Sequence, residues 1–188
     1  MRLFRIERKN LYGLWARSSL LAAILFFVLL YLDYGLRART GLGTAELQQF
    51  STAGQYRAAL TFWGRPDFTL RAGFLLGLDY LFMPVYAVAL FCSGLVVQDY
   101  FAPRAPQILR RILAVATLVP AFGALLDAVE NGLEVYLLNI ARADNGLAEM
   151  AFRISSAKWT CFYVGVGLLL AALFSLRLRK TEKKLQQL

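Results

Sequence analysis

The stretch SSLLAAILFFVLLYLDY, Ser18–Tyr34, carries one charged residue, Asp33, near its end. An α-helix needs about 20 apolar residues to cross the hydrocarbon core of a bilayer. Because unpaired backbone polar groups are costly in lipid, a run of this kind must be helical to span the membrane. The stretch therefore predicts a transmembrane helix.

Further apolar runs follow along the chain, and 59% of all residues are hydrophobic. A typical soluble domain is about 45–50% apolar. The predicted spans are at about 18–34, 74–98, 112–138 and 155–176. The sequence thus predicts an all-α membrane protein, a four-transmembrane-helix bundle in which residues 1–188 form a single four-span membrane domain.

The net charge of +9 lies between and beside the predicted spans. This placement favours a role in membrane topology, so no nucleic-acid partner is predicted. Lys and Arg are more numerous before the first span, between the second and third, and after the fourth than in the other two loops. The positive-inside tendency then predicts cytoplasmic termini. The basic N-terminal segment indicates a retained signal anchor, and the excess of Arg over Lys favours a bacterial inner membrane.

The longest connection joins the first two spans, on the predicted outer side. Its middle part, residues 44–63, is expected to form an amphipathic helix that begins with Thr44 as its cap and ends at the turn Gly64–Asp67. The apolar positions of this segment are Leu47, Phe50, Tyr56, Leu60 and Trp63. It is expected either to lie flat in the membrane interface, to pack on the rim of the bundle, or to cover a site as a lid.

The chain contains no histidine and two cysteines, Cys92 and Cys161. The absence of histidine excludes Ser-His-Asp catalysis and histidine-ligated zinc or haem. The two cysteines lie at different predicted depths, which disfavours a disulfide. No cofactor and no metal are predicted, and catalysis would depend on carboxylates, Lys158, hydroxyl groups or Arg.

The third span contains GALLDAVENGLEVYLLN, residues 123–139, in which an otherwise apolar helix carries several polar groups. Asp127, Glu130, Asn131 and Glu134 follow a spacing of i, i+3, i+4 and i+7. At 100° per residue these positions fall within an arc of roughly 100°. Such a stripe is expected to face the bundle interior, because ionisable groups are costly in lipid.

The other spans place polar groups at a similar depth. Asp33 lies at the outer end of the first span, Asp79 and Tyr86 in the second, and Lys158 in the first turn of the fourth. Together with the stripe they predict a shallow acidic pocket that faces outward. Asp127 and Glu130 are the candidate catalytic residues, and the candidate ligand-binding residues are Asp79, Asn131, Glu134, Lys158, Arg153 and Tyr86.

Three interpretations of these carboxylates stay open at this point. Glu130, Glu134 and Asp33 would be ordinary interfacial residues if the spans run past the membrane. Alternatively, the carboxylates form structural ion pairs with Lys158, Arg71 or Arg153. In the third interpretation they form a functional site, because clustered carboxylates can serve as acids, proton relays or cation ligands.

The predicted function is binding of a lipid-like or amphiphilic small molecule, or of a cation, with transport as an extension. One alternative is an intramembrane enzyme that acts on a lipid or isoprenoid by carboxylate acid/base chemistry. A second alternative is an accessory subunit of a larger membrane complex. The expected partners are membrane lipids and a hydrophobic or amphiphilic small molecule, and a homo-oligomer or a membrane-complex partner is left open.

Overall fold

The computed structural model describes residues 8–103, 105–139 and 144–185, and every regular element within them is helical. The elements in chain order are α1 (Arg8–Thr40), a short 3-10 helix (Ala45–Gln49), α2 (Ala53–Trp63), α3 (Pro66–Phe101), α4 (Gln107–Asn139) and α5 (Asn145–Leu185). Arg2, Arg5, Arg104 and Arg142, which contribute to the predicted charge asymmetry, lie outside the described residues.

Helices α1, α3, α4 and α5 are long and apolar enough to cross a membrane. Their lengths of 33, 36, 33 and 41 residues correspond to about 50 Å or more, compared with about 30 Å for the hydrocarbon core. The prediction of an all-helical chain with four such helices is confirmed, and it indicates an integral membrane protein. Each helix extends beyond its predicted span, because the backbone hydrogen bonds continue into flanks where the hydropathy has already fallen.

Helix α3 is central among the long helices, since it packs against α1, α4 and α5. Helices α4 and α5 also pack closely on each other, whereas α1 contacts α3 and has few contacts with α5. Many side chains of α1 are exposed, including those of Leu20 and Phe27. The described helices therefore leave a gap between α1 and α5.

Two glycines allow α5 to pack closely against α4 and α3. A Cβ atom on Gly123 of α4 would lie 2.7 Å from Cβ of Cys161 in α5, and one on Gly165 of α5 would lie 2.6 Å from Cδ1 of Leu90 in α3. Any larger residue at Gly123 would push α4 away from α5. This contact matters for the site because Asp127 follows Gly123 by one helical turn.

The segment of residues 42–63, called the cap here, folds over one end of the long helices. Its side chains Leu47, Tyr56 and Trp63 are almost fully buried and share an apolar core with α3, α4 and α5. Burial, with a smaller effect of the nearby Glu134 and Glu130 carboxyl groups, raises the pKa of Tyr56. The Tyr56 phenol therefore stays protonated and donates to the Leu47 carbonyl at 3.3 Å.

Polar contacts attach the cap to α1 and α5. The backbone N–H and hydroxyl of Thr44 donate to Oδ1 of Asp33, at 2.5 and 2.8 Å. Trp159 Nε1 donates to Oε1 of Gln48 at 2.9 Å, and the Ala53 N–H donates to Oδ1 of Asn145 at 3.0 Å. Thr44 occupies the predicted N-cap position, at the start of the 3-10 helix, but its side chain makes no cap hydrogen bond because its hydroxyl donates to Asp33.

The cap is also divided, where the sequence predicts one helix. The 3-10 helix ends at Gln49, and α2 begins again at Ala53, where Gln55 Oε1 accepts from the Thr52 N–H at 3.0 Å. Helix α2 ends at Trp63 with Gly64 in the left-handed region, at φ 54°. The predicted end of the segment at the Gly64 turn is therefore correct, since glycine adopts this conformation without steric cost.

At the other end of the bundle, Asp99 of α3 joins three helices. Its Oδ2 accepts from Tyr12 of α1 at 3.1 Å and from Arg179 of α5 at 2.8 Å. One turn deeper, Trp15 Nε1 donates to Oγ of Ser93 at 2.8 Å. Helix α1 is thus attached near both of its ends, to the cap and to this polar cluster.

Candidate functional site

Lys158 of α5 lies at the centre of the polar stripe predicted on α4. Its Nζ is 2.7 Å from Oδ1 of Asp127 and 2.5 Å from Oε2 of Glu130. All three side chains are buried, with at most 9% of any of them exposed. The single ammonium group thus pairs with two carboxylates and connects α4 to α5.

Asp127 also connects α4 to α3. Its second oxygen, Oδ2, accepts from the Tyr86 hydroxyl at 2.9 Å. The neighbouring Tyr80 hydroxyl donates to the Ala128 carbonyl at 3.0 Å. Asp127 therefore has a partner on each of its two oxygens, which fixes its position between the three helices.

Asp79 and Asn131 form a second polar contact beside Asp127. The Asn131 amide Nδ2 donates to Oδ2 of Asp79 at 2.8 Å. Because the amide nitrogen faces Asp79, the amide oxygen Oδ1 faces away from it. This buried oxygen has no donor among the described residues. Oε1 of Glu134, one turn further along α4, is likewise buried without a donor in the described part of the chain.

A cavity of about 180 Å³ lies between the long helices and beneath the cap. Its polar wall, called the polar floor here, is formed by Asp79, Tyr86, Asp127, Asn131, Glu134 and Lys158. Its apolar wall comes from α1, α3 and α5, and includes Phe26, Leu29, Leu30, Phe82, Trp159 and Phe162. Ligand pockets usually have volumes of about 300–1,000 Å³, so this cavity suits a small head group rather than a large ligand.

The cap adds Thr44, Ala45 and Gln48 to the boundary of the cavity. Asp33 of α1 and Leu75 and Leu76 of α3 complete this boundary. Below the polar floor, the buried side chains of Leu90, Val96 and Ala172 close the bundle with apolar contacts. Helices α1 and α5 both line the cavity and have few contacts with each other, so one side of the cavity lies between these two helices. In a membrane that side faces lipid.

The structure brings most of the predicted site residues together. Asp79, Tyr86, Asp127, Asn131, Glu134 and Lys158 line the cavity. Glu130 is behind Lys158, at 0% exposure, and is not part of the cavity wall. Arg153 lies apart from the site, because its exposed guanidinium pairs with Glu149 one turn away at 2.6 Å.

Burial argues against one of the three interpretations of the carboxylates, the interfacial one. Glu130 and Glu134 are 0% and 1% exposed, which does not fit ordinary interfacial residues. Asp33 is partly exposed and bonds to the cap. Of the predicted ion-pair partners, Lys158 pairs with the stripe, whereas Arg153 pairs with Glu149 and Arg71 is exposed.

The sequence analysis missed the apolar wall and one polar neighbour. Trp159 and Phe162 of α5 stack edge to face, with ring centroids 5.5 Å apart, and both line the cavity. The sequence could have indicated this pair, because residues three apart on a helix are neighbours on its surface and both follow Lys158 on the same helix. Ser155, buried one turn before Lys158, lies near Glu130, but a serine in an apolar helix carries no such signal.

A metal site is not evident in the described part of the chain, where no three acidic or cysteine side chains converge in a suitable arrangement. Lys158 occupies the position between Asp127 and Glu130 that a cation would otherwise take. The chemistry available at the polar floor is therefore that of carboxyl, amide, hydroxyl and ammonium groups.

Comparisons with known protein families, with curated proteins and with solved structures give no significant match to this chain.

Proposed function

We propose that this protein binds an amphiphilic small molecule within the membrane. The observation that carries the proposal is the contrast between the two walls of one cavity. A polar floor on α3, α4 and α5 faces an apolar wall that includes Phe26, Leu30 and Phe162. An amphiphile would place its head group on the floor and its chain along the apolar wall, where the chain leaves between α1 and α5.

The unpartnered oxygens support a ligand with hydrogen-bond donors. A buried acceptor without a donor costs about 1–3 kcal/mol. Asn131 Oδ1 and Glu134 Oε1 are two such acceptors, and both residues line the cavity. A head group that donates to them would remove this cost, which gives the ligand a reason to displace lipid chains from the cavity.

Binding is better supported than catalysis or transport. Lys158 holds the two candidate catalytic carboxylates, and Glu130 does not reach the cavity. Transport needs a polar route to the opposite side. Below the cavity the helices pack through apolar side chains such as Leu90 and Val96. The buried hydroxyls of Ser93 and Thr117 in this part are hydrogen-bonded to other side chains, so a route is not evident among the described residues.

The proposal predicts that the purified protein carries a bound amphiphile. Replacing Leu30 by Trp would fill the mouth of the cavity, and we expect this change to remove most of the bound molecule. Organic extraction followed by mass spectrometry, normalised to protein, measures the amount. Leu21→Trp is the matched control, because Leu21 is on the same helix and is similarly exposed, at 47% compared with 49% for Leu30, but does not line the cavity. Equal amounts of amphiphile in both variants would contradict the proposal.

The proposed setting is a bacterial inner membrane, with both termini in the cytoplasm and the cap at the outer surface, where part of it meets the membrane interface. The distribution of Lys and Arg supports this topology. It predicts that Ala58→Cys, on the exposed face of α2, reacts with a membrane-impermeant maleimide in intact cells. Gln107→Cys, at the exposed start of α4, should react only after the cells are permeabilised. Both variants need Cys161→Ser, since Cys161 is partly exposed; the reverse pattern would invert the topology.

A further inference from the structure

The polar floor contains more carboxyl groups than cations. Asp33, Asp79, Asp127 and Glu134 line the cavity, and Lys158 is the basic side chain among the described residues that do so. Lys158 is already shared by Asp127 and Glu130. Asp79 and Glu134 therefore lack a cationic partner within the described part of the chain.

Asp79, Asn131 and Glu134 are acceptor-bearing residues that border the same cavity. The hydrogen bond from Asn131 Nδ2 to Asp79 fixes the amide orientation, because the opposite orientation would place two oxygens against each other. Asn131 Oδ1 and Glu134 Oε1 then remain as buried acceptors without donors. All three residues border the cavity, so one small group could contact all of them.

A primary ammonium group fits this arrangement better than other head groups. It carries three donor hydrogens, no acceptor and one positive charge. A hydroxyl group supplies one donor and brings lone pairs toward the carboxylates. A carboxylate or phosphate would place its negative charge among carboxyl groups with no free cation to pair with it, and burial of unpaired charge is costly.

We propose that the ligand is a cationic amphiphile whose ammonium head group binds between Asp79, Asn131 and Glu134. This inference rests on the proposed function, since the cavity walls supply the place for the chain. It adds the charge and the hydrogen-bonding character of the head group.

The experiment measures equilibrium binding of four labelled probes to the full chain in phosphatidylcholine nanodiscs, with empty nanodiscs as the partition control. The probes are dodecylamine, dodecanol, dodecanoate and ethylamine. We expect dodecylamine to bind at least about tenfold more tightly than dodecanol, as expected for a hydrogen bond to a charged group. Dodecanoate and ethylamine should bind weakly or not at all.

Glu134→Gln should reduce dodecylamine affinity about tenfold and leave dodecanol affinity unchanged, because it removes the charge and keeps the shape. Asp79→Asn is a second such variant, since its amide oxygen still accepts from Asn131. Glu149→Gln is the matched control, because Glu149 is an exposed carboxylate of α5 outside the cavity. Unchanged dodecylamine binding in both cavity variants would overturn the inference.

The probes separate the two proposals. Equal affinity for dodecylamine and dodecanol would overturn the cationic head group and leave amphiphile binding in place. Ethylamine binding as tightly as dodecylamine would support the ammonium site and overturn the requirement for a chain. If none of the probes binds above the empty nanodiscs, both proposals are overturned.

Discussion

Replacing Lys158 by Met is expected to destabilise the protein by about 3–5 kcal/mol, the usual effect of removing one partner from a buried ion pair. Met has a similar length and is apolar, so the change removes the charge without leaving a large void. Asp127 and Glu130 would then remain buried without their counter-ion. Thermal unfolding in detergent micelles, followed by circular dichroism, measures the change.

The triple variant Lys158→Met, Asp127→Asn, Glu130→Gln tests the cause of this loss. It removes all three charges, and replacement of a complete buried ion pair by neutral groups is often tolerated. We expect it to recover most of the lost stability. Arg153→Met is the surface control, because its pair with Glu149 is exposed and such pairs contribute about 0–1 kcal/mol. If Lys158→Met unfolds like the unaltered protein, Lys158 does not hold α4 and α5 together.

The second large effect is expected at the cap. Trp63→Ala should destabilise the protein by about 3–5 kcal/mol, as is usual when a buried Trp is truncated in a core. Trp63 is 1% exposed, and its Nε1 donates to the Leu42 carbonyl at 3.1 Å. Its loss removes both the packing of this side chain in the core and the hydrogen bond between the two ends of the cap, Leu42 and Trp63.

The position of the cap can be followed separately from overall stability. Ala59 is 0% exposed, on the buried face of α2, so a cysteine there should be protected from a maleimide while the cap is in place. We expect Trp63→Ala to increase the labelling rate of Ala59→Cys well below the unfolding temperature. Phe62→Ala is the matched control, since this neighbouring aromatic residue is 59% exposed and surface changes usually cost less than about 0.5 kcal/mol. Equal labelling in both variants would show that Trp63 does not hold the cap.

The sequence predicted those features whose residues all lie on one helix. Apolar runs identified the long helices, because the bilayer imposes a minimum length and forbids unpaired backbone groups. The stripe on α4 was visible for the same reason, since Asp127, Glu130, Asn131 and Glu134 share one face whatever the neighbours are. These four residues are buried in the structure.

The sequence was less informative where a contact joins distant segments. Lys158 and Arg153 are both basic residues near the start of α5, and their spacing of five residues places them about 140° apart around the helix. The spacing does not say which of the two faces the bundle. Their rotation about the helix axis decides this: Lys158 faces α4, whereas Arg153 faces solvent and Glu149. The division of the cap had a local signal, because Thr52 and Gln55 have the spacing of a capping box. The attachments of the cap were hidden, because Asp33 and Asn145 lie outside the segment that they hold.

Helix α1 is attached at its ends, through Asp33 to the cap and through Tyr12 to Asp99, and it has few contacts with α5 between them. A molecule in the cavity could therefore exchange with the bilayer by a sideways displacement of the middle of α1, while both attachments stay intact. Collective helix motions of this kind take microseconds to milliseconds. Association would then be slower than diffusion in the bilayer, and the residence time of a ligand would depend on the stiffness of α1 as well as on the affinity of the polar floor.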